Sequence, residues 1–465
     1  MLRRRDCLRW GAACLAAGPA LAACSRGTGA GPGPAATATT LTASIGYQGG
    51  ATYSGTQQEL VESYIAQHFS ASHPGVRVLT TAAPNSNGSP ASSDTVIAAI
   101  LAGQGADVLG GSGYQLASFL QQNLLAPLDG YVQQAGIDTS VFDQDHLAAL
   151  TRSGRGLIGL PAFDGPDVVL VNWSVFDGLG LARPTADWTA DAAAALWRQA
   201  AGTRSGSHMW GMGLDLHDYF ARLFGGQLMN AAGTQCLLDQ PAVLQAANWL
   251  VPQVQAGVVQ PIGTDALVTE GEAACGMGGG RNVQTDLLAM QALHVEWDWL
   301  PMPVFPAGRR FTYNNSDWYG LNSASKNPPE LAWELLQFIA LDPGFAHLMY
   351  STTFVPPNQV ALWDDWMQVV RGAAPQLASK QLQYFAQAMD YGVCDQDFAN
   401  QPYQCDTILQ QWFTLIFTGS VDPGSGLRQC AAQINALQAP GAPAGTSSAS
   451  APTGPSAPSA AASSP

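Results

Sequence analysis

Charged side chains are scarce in this chain of 465 residues, of which only 11% are Asp, Glu, Lys or Arg. Lysine is the rarest of them and occurs only as Lys326 and Lys380. The first 23 residues hold four arginines and one aspartate, so the remainder carries 15 basic and 33 acidic residues and a formal net charge of −18. This acidic balance argues against nucleic acid as a partner, because phosphate backbones require a basic surface. It also disfavours direct binding to lipid headgroups.

The motifs of common enzymes are missing as well. Residues 110–113 (GGSG) and 202–206 (GTRSG) lack the GxSxG spacing of a nucleophilic serine, and residues 276–281 (GMGGGR) lack the last glycine of GxGxxG. No two histidines stand at the i, i+4 spacing that suits a metal, and no CxxC pair occurs. We therefore predict no catalytic residues, no cofactor and no metal. A glycosidase needs only two carboxylates brought together in space, so a secreted enzyme acting on polysaccharide is an alternative.

Two export signals overlap in the first 24 residues. Arg4 and Arg5 lie in a charged segment with the pattern of a twin-arginine signal. The 14 weakly apolar residues 10–23 follow, a stretch too short to span a bilayer. It ends in residues 21–24 (LAAC), which are similar to a bacterial lipobox. We predict a signal peptide over residues 1–23, lipidation of Cys24 and an extracytoplasmic protein anchored to the membrane by lipid. An ordinary secretory peptide is the alternative.

Low-complexity segments bracket the rest of the chain. Residues 24–40 predict a flexible tether and residues 440–465 a disordered tail. The region between them is longer than one hydrophobic core normally serves, which favours two domains. Short apolar strands alternate there with amphipathic helices, as is typical of an α/β fold with largely parallel sheets. We predict strands over residues 41–47, 76–79 and 106–109, and helices over residues 57–68, 95–102, 189–201, 242–255 and 329–340, with Thr189 as an N-cap.

Five cysteines follow Cys24, an odd number for an oxidising compartment. Cys394 and Cys405 flank a short polar loop and are the best candidates for a disulfide.

Aromatic and small polar residues lie at the carboxyl ends of the predicted strands, where open α/β sheets bind ligands. Such side chains suit a polyol, because carboxylates and amides bond hydroxyls while aromatic faces cover the apolar side of a sugar ring. The alternative to ligand binding is that Asp164 caps a turn and that Arg281 pairs with one of the many carboxylates. The candidate ligand-binding residues are Tyr47, Gln48, Ser112, Tyr114, Phe163, Asp164, Arg281, Tyr313, Asn315, Asp317 and Trp318.

Seven individually weak motifs, in the correct order, resemble the family 1 extracellular solute-binding proteins, receptors that feed ABC importers. Residues 73–78 (HPGVRV) are similar to the family's HPGIKV segment, and residues 124–129 (LLAPLD) to its L.PLD segment. Residues 269–280 resemble its F..G.aAM...G.W segment, with Arg281 where an aromatic residue is common. The other similar segments are residues 101–109, 156–188, 225–239 and 300–338.

The resemblance implies a two-lobed fold of the periplasmic-binding-protein type, whose lobes are joined by a hinge that the chain crosses more than once. We place the first lobe at residues 41–162 plus 281–323 and the second at residues 163–280 plus 324–439. The implied function is that of a monomeric, non-enzymatic receptor. It would bind a mono- or oligosaccharide in the cleft, close around it and deliver it to the permease subunits of an ABC importer. A receptor of the same fold for a non-sugar solute, such as a polyamine, is the alternative.

Overall fold

The structure is a computed structural model that describes residues 39–45, 55–81, 90–151, 154–204, 206–214, 220–260, 265–314, 317–394 and 398–439. The predicted signal peptide, Cys24, almost all of the tether and the tail lie outside the described residues. Tyr47, Gln48 and Asn315 of the candidate site also lie outside them, and of Tyr114 only the backbone is described.

Thirteen strands run through the described residues. In chain order, β1 to β13 are Thr39–Ser44, Val76–Thr81, Val108–Ser112, Leu160–Phe163, Asp167–Asn172, Gly202–Arg204, Ser207–Gly213, Val259–Gln260, Ala273–Gly279, Trp297–Leu300, Thr312–Asn314, Asp317–Leu321 and Gly392–Cys394.

Sixteen α-helices accompany them in the same part of the chain. In chain order, α1 to α16 are Thr56–His68, Pro90–Leu101, Gly113–Gln121, Asp129–Ala135, Gln144–Thr151, Trp173–Gly178, Ala190–Ala200, Pro241–Gln255, Asp265–Thr269, Val283–Ala292, Pro329–Leu341, Pro343–Thr353, Trp363–Ala373, Gln383–Ala388, Pro402–Phe417 and Pro423–Gln438. Among the described residues, no helix combines the length and the apolar character that crossing a bilayer requires.

Local patterning explains why these elements form. Helix α7 begins after Thr189, whose Oγ1 accepts a hydrogen bond of 3.3 Å from the backbone N–H of Ala192, as the predicted N-cap requires. Its buried residues include Ala193, Trp197 and Ala200, which recur at helical spacing along one face. The other helices and strands that the sequence predicts are also present, with small shifts at their ends.

The first sheet has five strands in the order β2-β1-β3-β12-β4. Strand β1 pairs in parallel with both β2 and β3, whereas β12 is antiparallel to its neighbours β3 and β4. Four of the five strands therefore run in one direction. The sheet is mostly parallel in direction, with β12 as the single reversed strand.

The second sheet has six strands, in the order β10-β5-β9-β7-β6 with β8 also beside β7. Strand β7 is parallel to β8 and β9, and β5 is antiparallel to β9 and β10. Side chains of β5 alternate between two buried clusters: Val169 and Val171 enter one, and Val168 and Leu170 enter the other. Burial on both faces explains the uninterrupted apolar run of this strand.

Among the described strands, two short segments connect a strand of the first sheet to a strand outside it. Strand β4 of the first sheet ends at Phe163 and β5 of the second begins at Asp167; later, β11, which pairs with β13 in a separate two-stranded sheet, ends at Asn314 and β12 of the first sheet begins at Asp317. We call residues 164–166 and the junction of Asn314 with Asp317 the two crossings. They bring the carboxyl end of β4 and the start of β12 next to the second sheet.

The predicted lobe ranges stay a prediction, but two elements pack differently from them. Strand β10 lies in the range predicted for the first lobe, yet it pairs with β5 of the second sheet. Helix α11 lies in the range predicted for the second lobe, yet Trp333, Leu335 and Leu336 belong to the buried cluster of the first sheet. The chain does not pass to the first sheet at the glycines that end β9. Helix α10 and strand β10 follow them, and β10 belongs to the second sheet.

Candidate functional site

Polar side chains of both crossings meet at one carboxylate. Asp164 follows β4, and its Oδ1 lies 2.8 Å from Nδ1 of His146 and accepts a hydrogen bond of 3.1 Å from Nδ2 of Asn314. The backbone N–H of Gly165 donates to Oδ1 of Asn314 at 2.9 Å. His146, Asp164 and Asn314 are buried. The side chain of Asn314 thereby fastens the second crossing to the first.

Helix α5 supplies the histidine of this arrangement. The residues of α5 that turn inward are His146, Ala149 and Leu150, so the imidazole is carried on an otherwise apolar face. The backbone N–H of His146 donates to Oδ1 of Asp143 at 2.8 Å. Burial raises the pKa of Asp143, and the nearby carboxylate of Asp164 acts in the same direction. We call Asp143, His146, Asp164 and Asn314 the crossing cluster.

Two atoms of the crossing cluster have no hydrogen-bond partner among the described residues. They are Nε2 of His146 and Oδ2 of Asp164. Because an orphaned buried polar atom costs free energy, each marks a position where a water molecule or a solute hydroxyl would be stabilising.

A buried ion pair joins the ends of β9 and β12. Arg281 follows β9 of the second sheet, and its Nη2 lies 2.8 Å from Oδ1 of Asp317, the first residue of β12 in the first sheet. Both side chains are buried. Of the two alternatives for Arg281, the structure shows the pairing with a carboxylate. The pair ties the two sheets together beside the crossing cluster.

Trp318 and Ser112 lie in the core rather than on an open surface. The Trp318 indole Nε1–H donates to the backbone oxygen of Ser112 at 2.8 Å, and its ring meets Phe119 edge to face at 5.3 Å. Trp318 has no exposed surface. No face of the Trp318 ring is therefore uncovered in the structure, as stacking on a ligand would require. Phe163 is likewise buried, with its ring against Tyr319 at 6.2 Å.

Tyr313 is held by a residue that sequence reasoning missed. Arg222 closes a 3-10 turn, Phe220–Arg222, and its Nε donates to the hydroxyl of Tyr313 at 3.2 Å. The Arg222 guanidinium lies over the rings of Phe311 and Tyr313, 5.6 and 5.5 Å from their centres. Nothing in the local sequence around Arg222 distinguishes it from a surface arginine, so this contact could not be read from a pattern.

Gly280 lies at a closely packed position next to the first crossing. A Cβ atom at Gly280 would lie 2.9 Å from Cγ of Pro356 and 3.5 Å from Cα of Gly165. A side chain at Gly280 would therefore have to displace Pro356, while it would only touch Gly165 of the first crossing at an ordinary contact distance. This close approach accounts for a glycine at that position.

The predicted disulfide between Cys394 and Cys405 stays a prediction, and in the structure both residues carry thiols. Cys394 ends β13, whereas Cys405 faces helix α16, where its Sγ accepts a hydrogen bond of 3.2 Å from Nε2 of Gln438. Burial raises the pKa of the Cys405 thiol to about 12. Helix α15 thus directs Cys405 toward α16, the helix against which it packs. No group of metal-ligating side chains occurs among the residues the structure describes.

The structure thus gathers Ser112, Phe163, Asp164, Arg281, Tyr313, Asp317 and Trp318 around the two crossings. Their contact with a solute stays a prediction. His146 was missed as a site residue, although one signal was available: a lone histidine on the apolar face of a short helix requires a buried partner.

Comparison with known proteins gives a family and a fold. A family model described as "Bacterial extracellular solute-binding protein" matches residues 53–344. A curated Brucella abortus (strain 2308) protein, named as a binding protein, is 26% identical over 254 residues, which are 52% of this chain and 60% of that protein. A Brucella suis biovar 1 relative aligns with the same identity and coverage. The alignment thus spans about 60% of the length of these curated relatives.

Solved structures resemble the whole fold at low sequence identity. A Listeria monocytogenes ABC substrate-binding protein in complex with cycloalternan gives a TM-score of 0.68 at 16% identity, with 85% of this chain and 97% of that chain covered. A cyclic alpha-maltosyl-1,6-maltose binding protein from Arthrobacter globiformis also gives 0.68 at 16% identity, covering 86% and 99%. A Thermotoga lettingae solute-binding protein bound with alpha-D-tagatose gives 0.65 at 17% identity, covering 86% and 100%. The predicted two-lobed α/β fold is confirmed.

Proposed function

Because the chain belongs to the bacterial extracellular solute-binding protein family, we propose that it is a lipid-anchored receptor that binds a carbohydrate between its two sheets and delivers it to an ABC importer. The observation that carries the proposal is the crossing cluster. It places buried carboxylate, imidazole and amide groups where the two halves of the molecule meet. Groups of this kind bond the hydroxyls of a sugar.

Carbohydrate is favoured over other solutes by two observations. The similar structures from Listeria monocytogenes and Thermotoga lettingae are described with a bound saccharide, and the Arthrobacter globiformis protein is named for the saccharide that it binds. The acidic chain, with a formal net charge of −15, repels phosphate esters. A polyamine is the second candidate, because carboxylates at the crossing would attract a cationic solute. A receptor needs no catalytic group, since binding and lobe closure suffice for delivery.

A ligand screen tests the proposal. The chain from residue 25 onward would be titrated calorimetrically with mono- and oligosaccharides, polyamines and glycerol phosphates, and the sugars recovered afterwards by chromatography. We expect saturable binding of at least one saccharide, with the sugar recovered unchanged. Binding confined to polyamines would overturn the carbohydrate assignment, and release of shorter sugars would establish an enzyme instead.

A matched pair of carboxylate variants locates the site. Asp164→Asn removes the charge that the crossing cluster shares, and we expect the affinity for the sugar to fall roughly 10- to 100-fold, the loss expected for a hydrogen bond to a charged group. Asp365→Asn alters an exposed carboxylate on α13 and is expected to leave affinity unchanged. Equal affinity of the Asp164→Asn variant and the unmodified protein would remove Asp164 from the proposed site.

The anchor is tested separately. Cells that express the full chain would be labelled with a radioactive fatty acid, and the label is expected on the protein but not on its Cys24→Ala variant. Label retained by that variant, or a protein released from membranes without detergent, would overturn lipid anchoring while leaving the receptor proposal intact.

A further inference from the structure

Side chains cover main-chain groups on two strands that end a sheet, β4 and β10. Strand β4 ends the first sheet on one side, and there Nδ2 of Asn358 donates to the backbone oxygen of Pro161 at 2.6 Å. Strand β10 ends the second sheet, and the backbone oxygen of Trp297 accepts a hydrogen bond from Nζ of Lys380. Unpaired main-chain groups at a sheet edge are a template for another strand, so these side chains take up positions at which one could add.

Strand β2 ends the first sheet on its other side and, among the described strands, has β1 as its one neighbour. The backbone N–H of Ile45 donates to the backbone oxygen of Thr81 at 3.0 Å, which continues the pairing of β1 with β2. In a parallel pair, alternate residues bond to the neighbouring strand. The odd-numbered residues of β2 therefore bond to β1, and the residues whose backbone groups point to the free edge are Val76, Val78 and Thr80.

Two side chains of helix α1 bond the backbone groups of Thr80 at this edge. Oε1 of Glu62 accepts from the Thr80 backbone N–H at 3.0 Å and from the Thr80 hydroxyl at 2.9 Å. Nε2 of Gln58 donates to the Thr80 backbone oxygen at 2.9 Å and to Oε1 of Glu62 at 3.0 Å. The carboxylate and the amide thus provide the acceptor and the donor that the main chain of an added strand would provide. We call Gln58 and Glu62 the edge guard.

The ionised form of Glu62 suits this arrangement. Burial acts to raise the pKa of Glu62, but the hydrogen bonds from Thr80 and Gln58, together with the nearby guanidinium of Arg77, hold that pKa below its usual value. Hydrogen bonds to a charged acceptor are stronger than those between neutral groups. An incoming strand would therefore have to replace a charge-assisted bond to the Thr80 N–H with a neutral one.

Val76, at the other end of the edge, is held in a turn. Its backbone N–H donates to the backbone oxygen of His73 at 3.0 Å, just before β2 begins. Val78 therefore lies between one residue bonded within the turn and another bonded by the edge guard. Adding a strand requires a run of bonds to successive alternate residues, so the edge at β2 does not offer such a run while Gln58 and Glu62 are in place.

We infer that the edge guard keeps the molecule monomeric by closing β2 to the addition of a strand from a second copy of this chain. Where Gln58 and Glu62 are removed, the edge of β2 becomes an interaction surface for an extended polypeptide. This inference does not rest on the proposed function, because it concerns the outer edge of the first sheet and requires no solute.

The occupant that the unguarded edge fits is β2 of the second copy. Two such strands related by a two-fold axis at Val78 would pair antiparallel, with Thr80 of one opposite Val76 of the other. Arg77, which is exposed on β2, would then lie opposite Leu79 rather than opposite its own copy, so like charges would not meet. Charge on β2 therefore does not oppose self-pairing, and the bonds of the edge guard to Thr80 do.

The test compares two double variants of one helix. Gln58→Ala/Glu62→Ala removes the edge guard, whereas Glu59→Ala/Gln67→Ala removes an exposed glutamate and an exposed glutamine from α1 and changes the net charge equally. The chain from residue 25 onward would be analysed by sedimentation over a range of concentrations. We expect the mass of the unguarded variant to rise with concentration toward twice that of the monomer. The unmodified protein and the control are expected to stay monomeric.

Two further variants separate strand addition from unspecific association. Glu62→Gln keeps an oxygen that can accept from the Thr80 N–H, and it is expected to stay monomeric. Thr80→Pro, added to Gln58→Ala/Glu62→Ala, removes the N–H that an added strand would bond. Proline is tolerated in an edge strand where the N–H points away from the sheet. This triple variant is therefore expected to return to the monomer.

Three outcomes would overturn the inference. They are a Gln58→Ala/Glu62→Ala variant that stays monomeric at every concentration, association that the control variant or the unmodified protein shares, and association that persists after Thr80→Pro. Circular dichroism establishes that each variant is folded. Should the unguarded double variant not fold, Glu62→Ala alone takes its place, and equal association of Glu62→Ala and Glu59→Ala would then overturn the inference.

Discussion

Arg281 and Asp317 form a buried ion pair between the second sheet and the first, and a buried charge left without its partner is strongly destabilising. We expect Arg281→Gln to lower the free energy of unfolding by about 3 to 5 kcal/mol, because the carboxylate of Asp317 stays behind. The double variant Arg281→Gln/Asp317→Asn should lose less than the sum of the two single changes. Urea unfolding measures all three. Strictly additive losses would mean that the two side chains do not act as a pair.

Trp318 fills the core of the first sheet beside Phe119. Trp318→Ala is expected to lower the free energy of unfolding by about 3 to 5 kcal/mol, the usual cost of removing a large buried aromatic ring. Trp318→Phe, which keeps a ring there, should cost less. Denaturant unfolding compares the two. Lost sugar affinity at unchanged stability would instead assign the indole to the ligand.

At the scale of single residues, the chemical type of a site residue could be predicted from the sequence, but its bonding partner could not. Asp164 could be proposed as a site residue because a carboxylate follows an apolar strand, but its partner His146 lies on a separate helix. Arg281 and Asp317 were both proposed as ligand contacts, and nothing in their spacing shows that they bind each other. Such pairings depend on which strands are neighbours, and that is decided by the whole sheet.

Helices α1 and α12 are joined by one hydrogen bond with a pH-dependent strength. The Tyr64 hydroxyl donates to Oδ1 of Asp342 at 2.8 Å, and the same oxygen caps α12 by accepting from the backbone N–H of Phe345 at 2.7 Å. Burial raises the pKa of Tyr64 to about 12, and the bond to Asp342 adds to the shift. Because the folded pKa exceeds the unfolded value near 10, this contribution is present below pH 10 and is lost as the pH rises to 12.

The expected result is a melting temperature that falls less steeply between pH 10 and pH 12 in Tyr64→Phe than in the unmodified protein. Tyr131, whose ring stacks on Trp333 at 5.3 Å, offers the control, and Tyr131→Phe should keep the original slope. Thermal unfolding followed by circular dichroism across this range is the measurement. Parallel curves for the unmodified protein and Tyr64→Phe would show that the contact does not form.

At the scale of elements, the strongly periodic segments were predictable and their assignment to a sheet was not. Thr189 and the spaced apolar residues after it specify α7, because capping and amphipathicity are local. Strand β10 is just as apolar, yet its sequence does not say that β5 is its neighbour. The predicted first-lobe range of residues 281–323 includes β10, whereas β10 pairs with β5 of the second sheet, and such a pairing joins residues more than a hundred positions apart.

At the scale of the whole molecule, the number of thiols tests the predicted disulfide between Cys394 and Cys405. The structure has thiols at Cys236, Cys275, Cys394, Cys405 and Cys430, all buried. We expect five reactive thiols from residue 39 onward when the exported protein is denatured without a reductant, and very slow reaction before denaturation. Three would indicate that a disulfide forms, and the thiols absent from Cys394→Ser and Cys405→Ser would then show which pair is joined.

The family and the fold were accessible from the order of short motifs, because that order follows the sequence of strands and turns along the chain. The detailed site was not, because it is assembled at two crossings some 150 residues apart, Asp164 and Asn314. The spacing of motifs along the chain does not show that Asp164 and Asn314 are in contact.

Strand β12 has a consequence for how the polypeptide is made. It lies between β3 and β4, which end at Ser112 and Phe163, but it begins only at Asp317. During synthesis, β3 and β4 are exposed long before the strand that joins them leaves the ribosome. Each presents an unpaired edge that another polypeptide can occupy. The first sheet is the first to be synthesised, but it cannot be completed until about two thirds of the chain has been made. A chaperone that shields these edges would therefore act before β12 is synthesised.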